Sequence, residues 1–186
     1  SGVMSITGFE DKPPARAGPA IADSTTGFFG ALGAVLALFH AQKTGEGQFV
    51  DVSLLEGQLV LMSFNLMRTH LGVEVEPGAP QVAPAGPFPT ADGKYVQISG
   101  QEHVHFSQIC RLLGKPELAD DPRYGSRVKR FERREELTEM VTQWTRTLTA
   151  DALEAALLEV GVPCGRVNDL AEVLNDPHIR ARGMLV

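Results

Sequence analysis

The chain has 186 residues, of which 43% are hydrophobic and 22% charged, and these values are typical of a folded globular protein rather than a disordered one. Its formal net charge of −6 argues against general binding to nucleic acid or to an anionic membrane surface. The longest apolar run, 28–39, is too short to span a bilayer, and two cysteines indicate no framework of disulfides. We therefore expect a cytoplasmic protein with neither a nucleic-acid nor a membrane partner.

The first 22 residues contain too many helix breakers to form a long helix. Their glycines and prolines recur every few positions: Gly2, Gly8, Pro13, Pro14, Gly18 and Pro19. We expect an irregular segment that leads to Asp23.

Asp23 lies in the hexapeptide Ala-Asp-Ser-Thr-Thr-Gly (22–27), directly before the long apolar run 28–39. An aspartate at the start of a helix accepts backbone N–H groups and is stabilised by the positive end of the helix dipole. Such a fixed, ionised carboxylate can also act as a nucleophile on an activated acyl group. From these residues alone the cap is the more common use of an aspartate, and the nucleophile stays open.

Apolar residues cover every face of the segment from Ser24 to about His40, which predicts a buried helix. Gly27, Gly30 and Gly33 recur within it at three-residue spacing. Each glycine inside a helix destabilises it by about 0.5–1 kcal/mol relative to alanine. Three glycines here therefore indicate that close packing or a ligand requires the space that a side chain would fill. Packing is the more common reason.

The residues from 43 to 89 predict a turn, a strand, a helix and a linker. Lys43–Gln48 lacks the Gly-Lys-Ser/Thr ending of a phosphate loop and is interpreted as a turn, in which Gly45 suits the left-handed residue after a helix C-terminus. Alternation then predicts a strand over 48–53, and an amphipathic pattern predicts one helix over 54–71. Segment 72–89 is rich in proline and glycine, which indicates the linker between two domains.

A second module follows the linker, and its pattern mixes strands and helices. The Asp92-Gly93 turn precedes a predicted strand over 94–99, and a short strand is expected over 162–167. Helices are predicted over 103–113, 132–147, 149–160 and 169–174, with Thr149 as a cap candidate of the third and Asn168 as the cap of the last.

Two groups of residues in this module have a simpler interpretation than a binding site. His103, His105 and Cys110 are metal-ligand types, but their spacing matches no familiar zinc motif, so we expect no metal site. The basic stretch 123–134 could meet phosphates, yet glutamates interrupt it, which favours a solvated helix face. Cys110 lies on an apolar helix face and is expected in the core.

The order of several short motifs resembles the family III CoA-transferases, which include formyl-CoA transferase, carnitine CoA-transferase and 2-methylacyl-CoA racemases. No single motif is diagnostic, whereas their shared order is specific and spans essentially the whole chain. The motifs are residues 1–8, 13–18, 22–27, 43–48, 90–96, 113–118, 121–124, 161–164 and 176–178. The glycine-rich loop of formyl-CoA transferase is represented only by Gly86 within 81–89, which argues against formyl or oxalyl specificity.

The resemblance implies an α/β fold. Residues 1–71 would be part of a Rossmann-like large domain, 72–89 the linker, and 90–186 a smaller mixed α+β domain. Family members are about twice as long, which implies a Rossmann-like half upstream and a returning C-terminal segment outside this chain. The complete protein is expected to be an interlocked homodimer.

The resemblance also implies an activity and its residues. Asp23 would be the catalytic residue, which carries the acyl group while CoA moves from an acyl-CoA donor to a carboxylate acceptor. CoA would be a substrate, with no tightly bound cofactor; Leu54 would contact CoA, while Gly27 and Glu102 would lie on the substrate side. One alternative is a 2-methylacyl-CoA racemase, with Asp23 as acid or base and a histidine upstream. The other is a structural or dimer-forming piece without chemistry.

Overall fold

The computed structural model describes residues 1–9, 11–78 and 82–184, and these form two compact units, Ser1–Ala79 and Pro80–Val186. The boundary between the units lies inside the segment predicted as a linker.

The first unit is helical. A 3₁₀ helix at Val3–Ile6 is followed by α1 (Ile21–Thr44), α2 (Leu54–Leu61) and α3 (Ser63–His70). Helix α1 ends where Gly45 adopts a left-handed φ of 78° and donates its N–H to Ala41 O, which is the role the sequence predicts for this glycine. The single helix predicted over 54–71 is divided at Met62, where the backbone leaves helical values (φ −91°, ψ 4°) and the side chain is buried against Gly2.

The prediction of a strand over 48–53 is wrong, because the structure has no strand there. The segment connects α1 to α2 without pairing to any strand among the described residues, and Phe49 within it is 92% exposed. Alternating side chains are compatible with a strand, but a strand also needs a partner for its backbone hydrogen bonds.

The prediction that α1 is buried is also wrong for this chain, because no residue of the helix is buried. With 24 residues, the helix is long and apolar enough to cross a bilayer, a property that core helices of soluble proteins share. The helix is thus longer than the run 28–39 that argued against a membrane span. Its exposed large apolar side chains are Phe28, Phe29, Leu32, Val35, Leu36, Leu38 and Phe39.

The second unit contains an antiparallel sheet in the order β1–β2–β3, formed by Ala85–Pro89, Tyr95–Ser99 and Cys164–Arg166. Strand β1 occupies the last five residues of the predicted linker, so that part of the linker prediction is wrong. Pro87 and Pro89 read as breakers, yet proline is tolerated in a strand at the edge of a sheet, where its missing N–H faces no partner.

The described part of the second unit also contains six α-helices: α4 (His103–Leu112), α5 (Arg127–Glu132), α6 (Arg134–Thr145), α7 (Ala150–Glu159), α8 (Leu170–Asn175) and α9 (Pro177–Ala181). The predicted helices are confirmed to within a few residues, although the cap of α8 is Asp169 rather than Asn168. Cys110 is fully buried, as predicted. The larger core cluster comprises Phe88, Val96, Ile98, Ile109, Val141, Ala150, Leu153, Leu157 and Val162.

The Thr90–Gly93 turn joins the sheet to the start of α7. The Asp92 carboxylate accepts the Thr90 hydroxyl at 2.5 Å and the N–H of Ala150 at 3.2 Å, and the Ala91 N–H donates to Leu148 O. The hydrogen bond from Thr90 lowers the pKa of Asp92 below its usual value. This motif of the sequence is therefore a structural connection.

Candidate functional site

Asp23 is the third residue of α1, not its cap. The helix begins at Ile21 with Ala20 in the cap position, because the hydrogen-bond ladder already starts with Ser24 N–H donating to Ala20 O at 3.0 Å. The predicted cap at Asp23 is wrong by three residues. The side chain is exposed, and among the described residues it makes no hydrogen bond or ion pair.

The position of Asp23 gives its carboxylate electrostatic support without a bonded partner. The first turn of a helix has unpaired N–H groups and a positive dipole end, which stabilises a negative charge within about one turn. No side chain caps α1. The carboxylate oxygens therefore remain accessible to a reactant, whereas those of a capping aspartate would be bonded to backbone.

The second turn of α1 packs against the start of α2. The Thr26 hydroxyl donates to Ser53 O at 3.4 Å, and Ser53 in turn caps α2 by accepting the Glu56 N–H. A Cβ on Gly57 would lie 2.6 Å from Thr26 Oγ1, so a larger residue would not fit at this contact. The contact fixes the helix turn that follows Asp23.

The three glycines of α1 have different surroundings. Gly27 lies one turn after Asp23 on the same helix face, and a Cβ there would meet nothing within 4 Å. A Cβ on Gly30 would touch Val52 at 3.6 Å, and one on Gly33 would come within 2.7 Å of Val50. Packing therefore explains Gly33 and is compatible with Gly30, while Gly27 leaves open space beside the carboxylate.

Leu54 is the first residue of α2, and its side chain is 52% exposed. It therefore belongs to the same unit as Asp23 and Gly27. A groove of about 470 Å³ lies on another face of α1, lined by apolar side chains such as Phe29, Leu36 and Val60. Asp23 does not line it.

Glu102 belongs to the second unit. It occupies the cap position of α4 but makes no side-chain cap, and its carboxylate forms an ion pair with Arg127 instead. Of the four predicted site residues, the first unit thus contains three and the second unit one. In the described part of the chain, no three His, Cys, Asp or Glu side chains are grouped so that they could hold a metal ion.

The basic stretch holds residues that the sequence interpretation missed. Arg130 is only 1% exposed, so the prediction of a solvated helix face is wrong for it. Its guanidinium donates to the backbone carbonyls of Tyr124 and Gln101. Arg127 and Arg130 are one turn apart on α5 and therefore lie on the same helix face. This spacing is the sequence signal that would have predicted that both contact the same neighbouring segment.

Comparison with known proteins gives one consistent result. The sequence profile described as CoA-transferase family III matches residues 1–186. The chain is 39% identical to succinyl-CoA–D-citramalate CoA-transferase of Chloroflexus aurantiacus, covering 100% of this chain and 47% of the relative. It is 34% identical to succinyl-CoA:mesaconate CoA-transferase of Haloarcula hispanica, covering 99% and 46%.

A solved structure gives the same result for the fold. A CaiB/BaiF family protein from Brucella suis superposes with a TM-score of 0.80 at 32% identity, over 100% of this chain and 50% of the other. The mixed α/β fold predicted from the sequence is confirmed. The chain spans about half the length of the curated relatives it matches.

Proposed function

The chain belongs to CoA-transferase family III, and from this membership we propose that the whole protein transfers CoA from an acyl-CoA donor to a carboxylate acceptor through covalent intermediates on Asp23. Coenzyme A enters and leaves as part of the substrates. The curated relatives named above are CoA-transferases, which favours transfer over racemisation.

The reaction begins with attack of the ionised Asp23 carboxylate on the donor thioester. The C–S bond breaks, CoA leaves as the thiolate, and a mixed anhydride joins Asp23 to the acyl group. The thiolate then attacks the aspartyl carbonyl, which releases the donor carboxylate and leaves an aspartyl-CoA thioester. The acceptor carboxylate attacks this thioester and expels the thiolate again. Attack of the thiolate on the acceptor's acyl carbon forms the new acyl-CoA and regenerates Asp23.

The observation that carries this proposal is the exposed carboxylate of Asp23 in the first turn of α1, which has no bonded partner in the described part of the chain. The helix dipole stabilises its charge while its oxygens remain available for attack. The open space at Gly27 leaves room for the acyl group of the anhydride. We assign Leu54 to the CoA and Glu102 to the substrate side, as the resemblance implies.

We further propose that the substrates are short dicarboxylic acids and their CoA thioesters. This choice follows the names of relatives that act on succinyl-CoA with citramalate or mesaconate. We also propose that the enzyme is cytoplasmic and that it forms a homodimer.

Trapping the acyl-enzyme tests the proposal. Incubation of the full-length protein with succinyl-CoA and hydroxylamine should convert Asp23 to a hydroxamate, which mass spectrometry of the peptide containing residues 21–27 detects. Asp23→Asn should lower kcat by at least about 10³-fold, because the amide cannot form the anhydride.

Asp11→Asn is the matched control, since Asp11 is an exposed carboxylate of the same unit that pairs only with Lys12 among the described residues. This variant should retain normal kcat. Thioester exchange at an undiminished rate in Asp23→Asn would refute the proposal.

A further inference from the structure

Arg130 is a buried cation whose hydrogen bonds go to backbone carbonyls. Its side chain is 1% exposed, and among the described residues no carboxylate pairs with it. Nη1 donates to Tyr124 O at 2.8 Å, Nη2 donates to Gln101 O at 2.6 Å, and the guanidinium lies 5.0 Å from the centre of the Phe106 ring. Burial lowers the pKa of Arg130, because removal from water disfavours the charged form.

Arg130 Nε and Gln101 Oε1 are both buried without a hydrogen-bond partner in the described part of the chain. A buried charge with unsatisfied polar neighbours costs free energy, and natural proteins tolerate such local conflicts mainly where function requires them. The cluster is therefore a candidate for a functional role.

A second arginine of α5 contacts Glu102, the residue that follows Gln101 in the chain. Arg127 is one helical turn before Arg130 and forms an ion pair with Glu102. The start of α5 is itself fixed, because Ser126 caps the helix by accepting the Lys129 N–H. The two arginines thus hold the backbone of Gln101 and the side chain of Glu102 from one rigid element.

The turn formed by residues 100–102 is also held by contacts on its other side. Gly100 donates its N–H to Pro84 O at 2.9 Å, and a Cβ at Gly100 would overlap Ile109 Cδ1. The Phe106 N–H donates to Glu102 O, which attaches the end of the turn to α4. Residues 100–102 are therefore fixed at every position.

We infer that Arg130 and Arg127 are positioning residues, which together hold the Gly100–Glu102 turn so that the Glu102 carboxylate meets the substrate in one orientation. The inference rests on the proposed function, in which Glu102 contacts the substrate. Arg130 fixes the backbone on which Glu102 is mounted, and Arg127 fixes its carboxylate. Preorganisation of this kind matters because a small misplacement of a contact group lowers reaction rates steeply.

The structural effect can be measured by hydrogen exchange in the full-length protein. Arg130→Lys keeps the charge but replaces the planar fork with a single ammonium, which cannot hold both carbonyls in the same geometry. Exchange of the amides in 100–106 should become faster, while that of 150–159 stays unchanged. Arg111→Met is the control, because Arg111 is an exposed arginine whose side chain contacts only Gln108 in the described part of the chain.

The functional effect is measured with succinyl-CoA and D-citramalate as substrates. Arg127→Met and Arg130→Lys should each raise the KM for the acceptor about tenfold, while Asp23 still forms the hydroxamate and Arg111→Met behaves as wild type. Glu102→Gln should raise KM similarly, and the double variant Arg127→Met/Glu102→Gln should be no worse than Glu102→Gln alone, because both changes remove the same contact.

The outcomes separate the two proposals. Normal KM in Arg127→Met and Glu102→Gln, with Asp23 still labelled, would overturn the positioning role alone. An unlabelled Asp23 in the wild-type protein would overturn the proposed function and, with it, this inference. Arg127→Met involves an exposed side chain, so the test does not depend on whether the buried Arg130 position tolerates substitution.

Discussion

Single residues of this chain differ in whether their polar groups have partners. Asp23 is exposed and has no bonded partner among the described residues, which suits a nucleophile. Tyr124 is fully buried and donates its hydroxyl to Glu136 Oε1 at 2.6 Å, and its backbone carbonyl accepts from Arg130. Asp121 accepts charge-assisted hydrogen bonds from the guanidinium of Arg123, two residues later in the chain. The 121–124 motif is therefore structural.

Tyr124 should make the stability of the protein decline at high pH. Burial, together with the hydrogen bond to Glu136, raises the pKa of Tyr124 to about 12. Because the folded-state pKa lies above the ordinary value near 10, this contribution is complete below about pH 10 and is lost between about pH 10 and 12.

Tyr124→Phe removes both the titrating group and one hydrogen bond. It should destabilise the protein by about 0.5–1.5 kcal/mol at neutral pH, and the difference from wild type should narrow above pH 10. Denaturant unfolding at a series of pH values measures this. Tyr95→Phe is the matched control, because Tyr95 is half exposed; a constant difference between Tyr124→Phe and wild type up to pH 12 would contradict the prediction.

At the scale of elements, α1 and α2 meet through small residues. Gly57 lies against Thr26, and Gly33 lies against Val50 of the connecting segment, both closer than a Cβ would permit. The glycines of these helices lower intrinsic helix stability by about 0.5–1 kcal/mol each. Close approach of the elements requires them all the same, so the position of the Asp23 turn depends on this contact.

Gly57→Ala should destabilise the full-length protein by about 1–3 kcal/mol, because the added methyl group overlaps Thr26 Oγ1. Thr26→Ala removes that oxygen, so the double variant should be more stable than Gly57→Ala alone. Thermal unfolding of the four proteins in this double-mutant cycle measures the coupling. Gly47→Ala has open space around its Cβ and is the control. Purely additive effects would mean that the two residues are not in contact.

At the scale of the whole molecule, the two units differ in how much apolar surface they bury. The second unit has two buried clusters formed by its sheet and helices. In the described part of the first unit, Met62 is the one buried hydrophobic residue, and apolar side chains are exposed along α1, α2 and α3. Exposed apolar surface of this extent is typical of a surface that another protein segment covers.

The isolated 186-residue chain should therefore show uneven protection from hydrogen exchange. Amides of α4, α6 and α7 should exchange slowly and those of α1–α3 quickly, because local stability follows buried apolar contacts. Leu153→Ala, in the second unit's core, should cost about 2–5 kcal/mol. The exposed Leu36→Ala should cost within about 0.5 kcal/mol. Equal protection of α1 and α7 would contradict this expectation.

Sequence reasoning was accurate where the signal is local. The turn glycine Gly45 and the cap Thr149 mark helix ends because capping depends on residues within one turn. The order of short motifs predicted the family, and this is confirmed over all 186 residues. The assignment of Asp23 as the nucleophile remains a prediction.

The sequence by itself determined the family, the mixed α/β class and most helices of the second unit to within a few residues, because these follow from motif order and from neighbours along the chain. Only the tertiary structure decided that 85–89 pairs as an edge strand while 48–53 does not. It also decided that Arg130 is buried against two carbonyls and that α1 is exposed. The physical reason is that strand pairing and burial require partners distant in sequence, which no local pattern of residues specifies.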